Sequence, residues 1–113
     1  MSGFSTQDSH SGRWHQPVSV PIHSGDAFQA ACELVEDLGG WTDIQVDPKA
    51  MVLTCKGPGG LLGKPASIRI WTEGREGMPA STTHCSSEGG GGLLSKDKAN
   101  VTEFIRKFYM RVT

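Results

Sequence analysis

A chain of 113 residues, 36% hydrophobic and 20% charged, carries enough apolar material for one core and too much for a disordered protein. Its 11 Lys and Arg against 12 Asp and Glu leave a net charge of -1, which gives no general attraction to nucleic acid. Three cysteines without a CxxC pair argue against a disulfide scaffold and fit reduced thiols in a cytoplasm, and no apolar run is long enough for a membrane span.

The first residues are Ser, Gly, Gln and Asp around a single Phe, so 1–13 reads as a disordered leader and 14–113 as a single domain. Residues 17–22 alternate Val18, Val20 and Ile22 with Pro17, Ser19 and Pro21. Period two predicts a short strand, and its prolines place it at a sheet edge. Ser24 is a helix cap and Asp26 suits the first turn. Ala27, Phe28, Ala31, Leu34, Val35 and Leu38 then form one apolar stripe, which Gly39-Gly40 ends.

Residues 42–46 predict a strand with Ile44 and Val46 inward, and Asp47-Pro48-Lys49-Ala50 a turn. Residues 51–56 return with Met51, Leu53 and Cys55 on one face. A third strand, 66–72, turns Ile68 and Ile70 inward and Arg69 and Trp71 outward. Residues 80–87 are small, β-branched or polar and read as a weakly amphipathic strand. Ser95 or Asp97 caps a last helix with Val101, Phe104, Ile105, Phe108 and Val112 on its buried stripe. The order β-α-β-β-β-β-α predicts an α+β fold, an antiparallel sheet with both helices on one face.

Six letters occur twice: Gly59-Gly60-Leu61-Leu62-Gly63-Lys64 and Gly91-Gly92-Leu93-Leu94-Ser95-Lys96. Antiparallel hairpins send both glycine-rich connections, and Gly39-Gly40-Trp41, to one end of the sheet. A phosphate-binding loop is a poor fit. Pro58 stands where its first glycine belongs, Pro65 follows Lys64, and Asp97 follows Lys96. Three readings remain for this rim. The glycines are plain connections with Leu94 stapling the last helix; or Lys64, Lys96 and the helix N-terminus hold an anion; or the leucines form an apolar contact patch for a partner.

His84 and Cys85, adjacent on a strand, point to opposite faces and share no ligand. Cys55 and Cys85 lie two strands apart, roughly 10 Å from the strand spacing, too far for a disulfide. Cys32, Cys55 and Cys85 read as small buried hydrophobes. No paired carboxylates, nucleophile elbow or metal-ligand spacing argues for catalysis, a metal or a cofactor.

The stretch Ala27 to Phe108 resembles an uncharacterised bacterial domain family of unknown function. Leu38-Gly39-Gly40-Trp41 is similar to its helix-ending turn, Asp47 to its Asp-containing turn, and Cys85-Ser86-Ser87-Glu88-Gly89 to its late strand. Leu93-Leu94-Ser95-Lys96-Asp97 stands at the family's Asp-x-Gly-x-Asn segment, with the acidic residue, glycine and asparagine replaced. The outline also resembles helix-grip ligand-binding domains. These resemblances imply a fold and no reaction. The expectation is a non-enzymatic module that binds a protein or small molecule through Trp41, Leu61, Leu62, Lys64, Leu93, Leu94 and Lys96. The alternative is a small anion-binding protein or enzyme built on Lys64, Lys96 and the last helix N-terminus. The outer sheet face, carrying Trp71, is a candidate homodimer surface.

Overall fold

The computed structural model describes residues 3–60, 64–75, 77–89 and 96–113. Along them run β1 (Gly3–Ser5), a 3-10 turn (Arg13–His15), β2 (Val18–Val20), α1 (Ser24–Asp37), β3 (Thr42–Asp47), β4 (Val52–Gly57), β5 (Ala66–Glu73), β6 (Ser81–Glu88) and α2 (Asp97–Val112). All strand pairs are antiparallel, in the order β1-β6-β5-β4-β3, with β2 also on β6. The architecture is α+β, as the periodicities predict.

The core follows from two periods. Period two on β5 buries Ala66, Ile68, Ile70 and Thr72 and turns Ser67, Arg69, Trp71 and Glu73 outward. Period 3.6 on the helices buries Ala27, Phe28, Ala31, Leu34 and Val35 of α1 and Val101, Phe104, Ile105 and Phe108 of α2. Both helices pack on each other and on the same sheet face. Leu53, Ile68, Ile70, Phe104, Ile105 and Phe108 fill the space between the layers, and Phe104 stacks on Phe108 with centroids 5.5 Å apart. The α1 chain leaves through Leu38, whose N–H donates to Leu34 O and Val35 O, and turns at Gly40 with φ 85°.

Three expectations need correction. The supposed leader is part of the sheet from Gly3 onward. Gly3–Ser5 pairs with Ser86–Glu88, and Thr6 both donates from its N–H to Cys85 O and accepts the Cys85 N–H on its hydroxyl. β1 and β2 therefore lie end to end along one side of β6, and residues 7–17 bulge out between them. A polar composition does not preclude order when the segment satisfies an open sheet edge.

Val46, expected inward, is 46% exposed, and Ile44 is half-buried. β3 is the other edge strand, its pairing slips between Thr42 and Gln45, and Asp43 takes a φ of 53° there. That bulge bends the strand at the margin of the helical layer. Ser24 is the first residue of α1 rather than its cap; His23 holds the cap position.

Candidate functional site

The register fixes what lies at one end of the sheet. Gly57 pairs with Ala66, Ser67 with Glu88, and Thr42 with Lys56. The roots of both glycine-rich connections, and the chain entering β3, thus emerge at the same end. Leu61, Leu62, Leu93 and Leu94 lie outside the described residues. Lys64 and Lys96 are described and exposed.

A buried polar latch ties these roots together. The Ser87 hydroxyl donates to Asp97 Oδ1 at 2.7 Å. Asn100 Nδ2 donates to Pro58 O at 2.9 Å and to Ser87 Oγ at 3.3 Å. Ser87, Asp97 and Asn100 are 1%, 2% and 4% exposed. The latch joins the end of β6, the first turn of α2 and the segment after β4. Asp97 stands where the helix dipole favours a carboxylate. Two glycines permit the close packing. A Cβ on Gly57 would overlap Ile68 Cδ1, and one on Gly59 would overlap the Lys64 carbonyl oxygen. Sequence reading missed Ser87 and Asn100. Their signal was a polar residue at the inward phase of β6 and another on the buried stripe of α2.

Among the expected contact residues that are described, Trp41 is the one that the structure moves elsewhere. It is 4% exposed and lies over Phe104, centroids 6.4 Å apart, so it is a core residue. Its indole N–H has no hydrogen-bond partner among the described residues. A Trp after a double glycine looks like an exposed loop aromatic; instead the turn at Gly40 folds it under α2.

On the uncovered face, directly beside these roots, lies a concavity of about 650 Å³. Thr54, Lys56, Ser67, Arg69, Ser86 and Glu88 floor it, and Asp43 borders it from the bulge in β3. Farther along the same face, Trp71 stacks on His84 with centroids 5.0 Å apart and planes 6° from parallel. His84 Nε2 is 3.1 Å from Glu73 Oε2.

Alternation and burial fix where the thiols, the His84 ring and the Ser87 hydroxyl lie. Cys85 lies inward and His84 outward, as alternation requires. Burial pushes the Cys55 thiol up to about 11 and Cys85 well above its ordinary value, with Cys55 as a further cause for the latter. The Ser87 hydroxyl is sealed from solvent inside the latch. Among the described residues no three His, Cys, Asp or Glu side chains converge as metal ligands, and no helix is long and apolar enough to cross a membrane.

Comparison with known proteins returns no match to a family model, to a curated protein or to a solved structure.

Proposed function

We propose that the protein is a non-enzymatic binding module that engages a protein or small-molecule partner at its glycine-rich end. Leu61, Leu62, Lys64, Leu93, Leu94 and Lys96 are its contact residues, and Trp41 supports them from the core. The observation that carries this reading is the Ser87–Asp97–Asn100–Pro58 latch, which roots both connections at one end of the sheet. Two sequences of identical pattern, rich in backbone freedom and each ending in an apolar pair and a cation, thus follow strands that end on the same side of the sheet. The three free thiols favour a reducing, cytoplasmic setting.

A second reading makes the ligand an anion held by Lys64, Lys96 and the α2 N-terminus. Both lysines are exposed, and Lys96 stands at that terminus, which favours it. The outer sheet face is a weaker homodimer surface, since Thr54, Lys56, Ser67, Arg69 and Ser86 make it too polar for the core of an obligate interface.

Amide shifts of the labelled protein, followed against a panel of peptides, carboxylates and phosphates, test the proposal. The expected result is perturbation grouped at 57–66 and 88–97 that disappears in the Lys64→Ala/Lys96→Ala variant. Perturbation confined to the Arg69–Trp71 face, or unchanged in that variant, overturns it.

A further inference from the structure

We infer that the cleft between α2 and the segment leading into β2 is a second binding site, for a small monocarboxylate with an apolar body. The cleft has a volume of about 210 Å³, with Arg13, Trp14 and Pro17 on one side and Ile105 and Tyr109 of α2 on the other. Sites for drug-sized ligands run to roughly 300–1,000 Å³, so the occupant is smaller than these. The place is separate from the glycine-rich end. Tyr109 stands more than three turns beyond Asp97 on α2, about 18 Å along the helix.

A cation and two aromatic rings converge on this cleft. The Arg13 guanidinium carbon lies 4.8 Å from the centre of the Trp14 ring and 4.5 Å from that of Tyr109. The rings themselves meet edge to face, with centroids 5.6 Å apart. Ring faces attract the cation without neutralising its charge. Among the described residues Arg13 makes no ion pair, and it is the only charged residue lining the cleft. The rings offer no conventional acceptor, so the N–H fork stays available to a carboxylate, which it can meet with two parallel bonds.

The remainder of the cleft suits an apolar body. Val18 and Ile105 belong to the buried core, and Pro17 adds an apolar edge. The walls are tied in place by the protein itself. Gln16 Nε2 donates to His10 O at 2.6 Å, His15 Nε2 is 3.0 Å from Thr102 Oγ1, and Val18 and Ser19 pair with β6. A preformed cleft, with Arg13 already placed by two rings, lowers the entropy lost on binding. Trp14 and Tyr109 thus act on the ligand's charge through Arg13, as positioning residues. A lone cation disfavours a nucleic-acid strand, which needs several phosphate contacts, and a volume of this size disfavours a folded partner.

The test titrates the isotopically labelled protein with benzoate and with hexanoate at constant ionic strength, each compared with its uncharged amide, benzamide or hexanamide. Saturable shifts at amides 13–16 and 105–109 are expected with at least one acid, and the amide of that acid should bind about tenfold more weakly. Arg13 is exposed, so Arg13→Gln should leave the fold intact. It should lower the acid's affinity about tenfold, leave the amide's unchanged and so abolish the difference. Tyr109→Leu should narrow the acid-to-amide ratio and Tyr109→Phe should keep it, whereas a role in packing alone would weaken acid and amide equally. Lys64→Ala/Lys96→Ala should leave these shifts unchanged, so failure here and failure at the glycine-rich end are separate results. The inference is overturned if neither acid gives saturable shifts at these amides, if the amide binds as tightly as its acid, or if Arg13→Gln preserves the difference.

Discussion

Asn100 shows how much a single side chain carries at the glycine-rich end. Its amide, on a side chain that is itself buried, satisfies Pro58 O and the buried Ser87 Oγ. Replacement by Ala removes the donor to a part-buried carbonyl and to the buried Ser87 hydroxyl, at a cost of about 1–3 kcal/mol. Denaturant unfolding of Asn100→Ala should report that loss, with a wild-type midpoint counting against the latch. Thr72 and Thr83 make a comparable pair inside the sheet, their hydroxyls 2.9 Å apart. Such residues are hard to assign from sequence, because a Ser, Thr or Asn at an inward position looks like a broken pattern until its partner is known. Lys64, Lys96, Arg69 and Trp71 were legible because polarity and alternation put them outside. Trp41 misled because glycine neighbours suggest exposure and say nothing about where the turn points.

Among elements, the segment between β1 and β2 is the one that composition concealed. It crosses α2 and anchors there by side chains: Arg13 lies over Trp14 and Tyr109, at 4.8 and 4.5 Å from their ring centres, and His15 Nε2 is 3.0 Å from Thr102 Oγ1. The His15 imidazole titrates below its ordinary 6.5, because desolvation disfavours its charged form and Lys98 and His10 repel it. The unfolded chain then binds the proton more readily than the folded one. Stability contributed by neutral His15 is present above about 6.5 and falls as pH drops below it. The ring is partly exposed, so the effect is small. Unfolding midpoints at about pH 5 and pH 7 should differ less in His15→Gln than in the wild type; an identical pH response would exclude His15 as the cause. α1 and α2 are joined more plainly, by Arg111 reaching Asp37 at 2.8 Å and Glu33 at 3.9 Å. These pairs are exposed and contribute little.

At the scale of the molecule, one helical layer on one sheet face divides the chain's chemistry. Thiols lie in or near the core, and most cations lie outside it. Cys55 and Cys85 are buried and held protonated, while Cys32 is half-buried, its thiol also raised by desolvation and by Glu36 and Glu33. A thiol reagent should therefore modify Cys32 first in the folded protein, and all three together only on unfolding. Mass spectrometry of partially labelled protein reads that order directly, and early modification of Cys85 would show that the sheet opens easily.

The sequence by itself determined the elements and their faces, since periods of two and 3.6 state which side chains must leave water. It also determined that both glycine-rich connections share an end, because short antiparallel hairpins allow nothing else. Only the tertiary structure decided that residues 3–5 close the sheet edge beside β6, that Trp41 is core, and that Ser87, Asp97 and Asn100 meet. Those outcomes depend on groups far apart in the chain satisfying one another's hydrogen bonds, and a local pattern holds no record of the distant partner.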